Sequence, residues 1–157
     1  ARIFSEVQLD KSVAGRFGTR PLQGQSPYIL NTSLQFFDPK SEFSVALFVN
    51  RIGRRIYIAR EKNGLVPDLW ENPRTVIDLS ITKKFYKKFE AKIAIGDILA
   101  QDLVFYQDNN NNKKFDDVSK ATRQSSTLTG AEKAKLDNTI FRYKMGYTVS
   151  FGISYRL

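Results

Sequence analysis

The clearest pattern in the sequence is an alternation of apolar and polar residues near its C-terminus. From Thr139 to Leu157, nine of the ten odd-numbered positions are apolar or aromatic, against one of the nine even-numbered positions between them. Side chains of a β-strand alternate between two faces, so a period of two predicts a strand and excludes a helix. Strands of globular proteins usually run about 3 to 10 residues. The length of this segment therefore favours a strand that crosses a lipid bilayer.

The same period of two recurs upstream. Four further strands are predicted, over Tyr28–Phe37, Phe43–Ile58, Arg74–Phe85 and Phe89–Ile95. The apolar phase flips after Val49, which predicts a β-bulge around Asn50 to Gly53. A poorer alternation over Ala1–Leu9 would bring the total to six strands. The only helix predicted is a short one near Gly130 to Leu136.

The connections between these strands alternate in length. Two are short, Asp38–Glu42 and about Tyr86–Lys88, and three are long and polar, about Asp10–Ser26, Arg60–Pro73 and Tyr106–Asn138. Outer-membrane barrels have short periplasmic turns and longer extracellular loops. The predicted fold is therefore all-β: an antiparallel transmembrane β-barrel of the outer membrane.

On this assignment, aromatic side chains collect at the periplasmic strand ends and polar ones face the barrel interior. The predicted interfacial girdle consists of Phe36, Phe37, Phe43, Phe85, Tyr86, Phe89 and Tyr155. The predicted lumen-facing residues are Arg74, Asp78, Glu90, Lys92, Arg142 and Lys144. Aromatic girdles at the membrane interfaces and a polar lumen are both typical of outer-membrane barrels.

The composition excludes several classes of function. The 157 residues contain neither Cys nor His, which excludes disulfides, thiolate metal sites and catalysis by an imidazole base. No nucleophile–base pair or phosphate-binding loop stands out, so the chain is predicted not to be an enzyme. The net charge of +9 is dispersed through loops and one strand face. Nucleic acid is therefore not a predicted partner.

The last residues resemble the assembly signal of bacterial outer-membrane proteins. The positions that carry the resemblance are Ser150, Gly152, Tyr155 and Leu157, although the usual final residue is Phe. Another protein can bind an exposed strand edge by adding a strand to it, which gives such a signal a physical basis.

Most of the chain, from about Gly15 onward, resembles the C-terminal β-barrel of TonB-dependent outer-membrane receptors of Bacteroidota type. The matching stretches are Arg20–Asn31, Phe48–Arg55, Glu71–Ser80 and Ile95–Leu99, followed by the terminal strand. The resemblance implies the last five or six strands of a barrel of about 22 strands. It also implies TonB-dependent uptake of a bulky ligand such as a metal chelate, cobalamin or an oligosaccharide. The ligand itself is not specified by the sequence.

Five or six strands cannot close a barrel, because bacterial single-chain barrels have at least about eight. Residues 1–157 are therefore expected to be the last strands of one barrel domain in a longer polypeptide, without its plug domain. The implied partners are outer-membrane lipid, the rest of the barrel and plug, TonB through the missing N-terminal part, and a surface lipoprotein. Two alternatives stay open: a small self-contained outer-membrane barrel with a structural or adhesin role, and a soluble β-sandwich.

Two loop features are candidates for ligand binding. Asp108, Asn110, Asn112 and Asp116 are spaced like the oxygen ligands at the start of a calcium loop, which makes calcium the one candidate cofactor. Lys113 stands where such loops usually have Gly, and the Glu that usually ends them is also missing. An ordinary solvated loop is the alternative interpretation. Trp70, the single Trp, is predicted in an outer loop, where it could stack on a ligand.

Overall fold

The computed structural model of the chain describes residues 6–8, 19–59, 67–86, 88–110, 112–117, 129 and 136–156. Over these residues the protein is all-β, with eleven strands. In chain order they are β1 (Glu6–Gln8), β2 (Thr19–Pro21), β3 (Ile29–Asp38), β4 (Phe43–Ile52), β5 (Arg55–Ile58), β6 (Leu69–Glu71), β7 (Arg74–Phe85), β8 (Phe89–Gly96), β9 (Leu103–Gln107), β10 (Asn138–Tyr143) and β11 (Thr148–Tyr155). No helix within the described ranges is long and apolar enough to cross a membrane.

The chain forms two compact units, and each contains one larger open antiparallel sheet. One unit holds a five-stranded sheet in the order β11-β8-β7-β4-β3. Its two tight hairpins, β3–β4 and β7–β8, confirm the two short connections predicted from the sequence. Glu42 and Tyr86 adopt positive φ angles of 49° and 51° in these turns, which lets the chain reverse within a few residues.

The five-stranded sheet has two chemically different faces. Cross-strand neighbours place the odd-numbered residues of β4, β7, β8 and β11 on one face together with the even-numbered residues of β3. We call this the apolar face and the opposite one the polar face. The alternation predicted for Arg74–Phe85 and from Phe89 onward is confirmed by β7 and β8.

The other unit holds a four-stranded sheet in the order β10-β9-β6-β5 and a short β1–β2 pair. Its buried apolar side chains are Ile56, Leu69, Val104, Phe105 and Tyr106. The three consecutive buried residues of β9 explain why alternation did not reveal this strand, since a strand buried on both faces reads as a continuous apolar run.

Three predicted elements differ in the structure. The strand predicted from Thr139 to Leu157 is two strands in different sheets, and Gly146 between them has a φ of 70°. The bulge predicted around Asn50 to Gly53 is the end of β4, because β5 belongs to the other sheet. The long loop Arg60–Pro73 contains β6. Nearly all of the short helix predicted near Gly130 lies outside the described residues. Of the strand predicted over Ala1–Leu9, only residues 6–8 are described, and they form β1.

Candidate functional site

The apolar face is formed by continuous rows of aliphatic and aromatic side chains. One row contains Leu34, Leu47, Leu79, Ile95 and Val149, and the next contains Phe36, Val45, Ile81, Ile93 and Phe151. Leu34 is 71% exposed and Phe151 is 66% exposed. No described residue of the five strands is buried on either face. Water is a poor solvent for such a surface, so an apolar layer is the environment that suits it.

Polar side chains mark the two ends of the apolar face. Arg51 donates from Nη1 to Thr75 Oγ1 at 2.7 Å near one end, and Lys83 donates from Nζ to the Ser41 carbonyl at the other. Thr75 and Lys83 are eight residues apart on β7. That separation is about 26 Å along a strand at about 3.3 Å per residue. In an outer-membrane barrel whose strands tilt by about 40°, such a separation would span about 20 Å along the membrane normal, against an apolar band of about 25 Å.

The residues predicted as a girdle all lie at the hairpin end of this sheet. They occupy the ends of β3 and β7, the starts of β4 and β8, the β7–β8 turn and the end of β11. The Phe89 and Tyr155 rings are 4.9 Å apart on the apolar face, and Lys88 Nζ lies 5.9 Å from the Tyr155 ring. Phe37 is on the opposite face, so it does not join the same aromatic surface. Their role at a membrane interface stays a prediction.

Four of the predicted lumen residues, Arg74, Asp78, Glu90 and Lys92, share the polar face. Asp97 joins two of them: its carboxylate is paired with Arg74, and its backbone N–H donates to Asp78 Oδ1 at 2.8 Å. An open depression of about 240 Å³ lies nearby, lined by Asn31, Thr32, Ser33, Phe48, Val49, Asn50 and Asp78.

The other two predicted lumen residues lie elsewhere. Arg142 is in β10, in the four-stranded sheet, where its Nη2 is 2.6 Å from Asp117 Oδ2. Lys144 follows β10 and belongs to no strand. The alternation of the sequence predicted one shared face for both residues, because it predicted a single strand where the structure has β10 and β11.

The residues resembling an assembly signal belong to β11, an edge strand. Ser150, Gly152 and Tyr155 pair with β8 on one side, and the other edge has no partner strand among the described residues. Leu157 lies outside the described residues.

The asparagine-rich loop is organised around its own side chains. Lys113 donates its backbone N–H to Asp108 Oδ2 at 2.9 Å, and Asn112 and Lys114 donate theirs to the Oδ1 atoms of Asn110 and Asn112 at 3.0 and 2.8 Å. The side-chain amides of Asn110 and Asn112 donate to Asp116 Oδ2 at 2.8 and 2.5 Å. The four predicted calcium ligands are therefore brought into one loop.

Asp137, which sequence analysis did not single out, supports this loop by accepting hydrogen bonds from its backbone. Its side chain is completely buried and accepts the backbone N–H groups of Asn109 at 3.1 Å and Asp116 at 2.8 Å. Burial raises the pKa of Asp137, although the two N–H donors oppose that shift. Phe115 packs its ring 4.8 Å from that of the buried Tyr106 and anchors the loop to β9. Asp137 follows an undescribed stretch and lies far from the loop in sequence, so no local spacing indicated it.

Trp70 lies in β6 rather than in a loop. The Arg54 guanidinium lies over its ring at 4.2 Å, and Nη1 of the same guanidinium is 3.5 Å from Asp108 Oδ2. One face of the indole is thus already covered by the chain itself. Its predicted role in stacking on a ligand stays a prediction.

No set of three or more His, Cys, Asp or Glu side chains in the described part of the chain is arranged to hold a metal ion. The loop instead offers two carboxylates and two carboxamides. No protein-family model, curated protein or solved structure matches the chain.

Proposed function

We propose that the chain is the C-terminal part of the β-barrel of a TonB-dependent outer-membrane receptor that takes up a bulky ligand. The candidate ligands are a metal chelate, cobalamin or an oligosaccharide. In this proposal the five-stranded sheet crosses the outer membrane, with the apolar face toward lipid and the polar face toward the lumen and plug. The protein is a transporter rather than an enzyme.

The apolar face is the observation that carries the proposal. A sheet in a water-soluble domain covers its apolar side with a second layer. Here no described residue of the sheet is buried, while Leu34, Phe36 and Phe151 are mostly exposed. The spacing of the polar ends, near 20 Å along the normal at about 40° of tilt, suits lipid. A β-sandwich, whose apolar side is covered by a second sheet, has no comparable reason to place polar residues at this spacing.

The open edges support a longer polypeptide. β3 and β11 each leave one edge without a partner strand in the described part of the chain. Unpaired backbone groups in lipid cost several kcal/mol each, so a spanning sheet requires further strands. The remaining described strands form the four-stranded sheet, which has its own buried residues, and the short β1–β2 pair. The missing strands, the plug and the segment that contacts TonB would come from the rest of the protein, and a surface lipoprotein is a further proposed partner.

The mass of the native protein tests this proposal. Outer membranes are extracted with detergent, and the protein carrying this sequence is identified by its peptides and weighed intact. A mass several-fold above 18.0 kDa is expected. A native mass of 18.0 kDa would favour the alternative of a small self-contained barrel with a structural or adhesin role. Recovery from the aqueous fraction without detergent would overturn both.

A further inference from the structure

The asparagine-rich loop 108–116 has an unexplained feature at its first ligand position. The Asp108 side chain is only 3% exposed, and its Oδ1 atom is buried without a hydrogen-bond partner among the described residues. Its other oxygen, Oδ2, accepts the Lys113 backbone N–H and lies 3.5 Å from Arg54. A buried carboxylate oxygen is ordinarily satisfied by a donor, water or a cation. Asp108 therefore presents one unsatisfied oxygen in a loop that has several other side-chain oxygens.

We infer that this loop binds Ca²⁺, with Asp108, Asn110, Asn112 and Asp116 as side-chain ligands. These residues stand at the first, third, fifth and ninth positions of a calcium loop, and the Lys114 carbonyl stands at the seventh. None of these positions falls on residue 111, which is outside the described residues. Carboxylate, carboxamide and carbonyl oxygens are the ligands that Ca²⁺ prefers.

The backbone of the loop agrees with this register. Calcium loops require a sharp turn at the sixth position, where Gly is normally found. Lys113 occupies that position and has a φ of 67°, the left-handed conformation that Gly adopts most easily. Lys in place of Gly therefore does not prevent the turn, because the backbone already has the required shape. It only makes that conformation more strained.

The same contacts indicate that binding is weak. In the structure the Asn110 and Asn112 amides donate to Asp116 Oδ2, and those bonds must be exchanged for the ion. The ligand set carries only two carboxylates, and Arg54 lies beside one of them. Calcium affinity in such loops is set by ligand charge and site rigidity. We expect a Kd of about 10⁻⁴ to 10⁻³ M, which is the range of extracellular calcium modules.

Calorimetric titration of the detergent-solubilised protein with CaCl₂ tests the inference. Asp108→Asn and Asp116→Asn each remove one carboxylate ligand and are expected to weaken binding at least tenfold. Lys113→Gly is expected to tighten it several-fold, which a purely structural loop would have no reason to do. Asp117→Asn is the matched control, because that carboxylate is paired with Arg142 and is not one of the four proposed ligands.

Saturable Ca²⁺ binding, weakened by the two Asp→Asn ligand variants and tightened by Lys113→Gly, supports the site. The inference is wrong if neither the natural protein nor Lys113→Gly binds Ca²⁺ up to about ten times the upper expected Kd. It is also wrong if Asp108→Asn binds as tightly as the natural protein. Circular dichroism of each variant guards against misfolding. The result does not depend on the receptor proposal, because these ligands belong to the unit with the four-stranded sheet.

Discussion

If the five-stranded sheet crosses a membrane as proposed, a positive charge on its apolar face should be costly in proportion to its depth in the bilayer. Leu79 lies six residues from Phe85 on β7, about 20 Å along the strand. At a tilt of about 40° this is about 15 Å along the normal, which is close to the midplane of an apolar band about 25 Å tall. Leu79→Arg is therefore expected to cost about 2 to 4 kcal/mol, and Phe85→Arg, at the interface, about 0 to 1.

The neighbouring residue provides a matched control. Ser80 is on the polar face at almost the same depth as Leu79. Ser80→Arg should change the free energy of unfolding by no more than about 0.5 kcal/mol, as is usual for a solvated site. All three variants would be unfolded reversibly with guanidinium in lipid vesicles and followed by far-UV circular dichroism. The reasoning is refuted if either Ser80→Arg or Phe85→Arg costs as much as Leu79→Arg.

Three further predictions concern the unit with the four-stranded sheet. Asp137→Ala leaves two partly buried backbone N–H groups without their acceptor, so it should cost about 1 to 3 kcal/mol and speed amide exchange at Asn109 and Asp116. Unchanged exchange would contradict this. Because burial raises the pKa of Asp137, the folded state retains its proton above the usual value near 3.8. The stabilisation that comes from the Asp137 carboxyl is therefore present at lower pH and is lost as the pH rises through its raised pKa. Asp137→Asn should remove this dependence from a series of melting temperatures measured across that pH range. Gly53→Ala should destabilise by about 1 to 3 kcal/mol, because a Cβ would lie 2.8 Å from Tyr28 Cε1. Equal melting temperatures for Gly53→Ala and the natural protein would count against that packing.

The sequence was informative where one side of a strand is polar. β7 and β8 alternate cleanly because only one of their faces is apolar, so both strands and the turn between them could be predicted. β9 could not, since its residues from Val104 to Tyr106 are buried in succession. The division between β10 and β11 was also missed, because two consecutive strands that keep the same phase look like one.

The candidate sites were predictable to a similar degree. Spacing alone located the oxygen ligands of the loop, because they lie within nine consecutive residues. It could not reveal that Asp137 supports them, or that Arg54 approaches Asp108, since these contacts join residues that are distant in sequence. Asp97 was missed for the same reason: its importance comes from pairing with Arg74 across two strands.

The two units differ in what their stability requires, and this difference connects the fold to the proposed function. The four-stranded sheet buries Ile56, Tyr106 and their neighbours, so hydrophobic burial within the chain supports it. The five-stranded sheet buries no described residue, although its strands are the longer and more regular ones. Backbone pairing alone gives little net stability in water, because unfolded strands hydrogen-bond to solvent equally well. In lipid that alternative is absent, and every unpaired backbone group carries a large cost. The same five strands are therefore poorly supported in water and strongly held together in a bilayer, provided that further strands pair with β3 and β11.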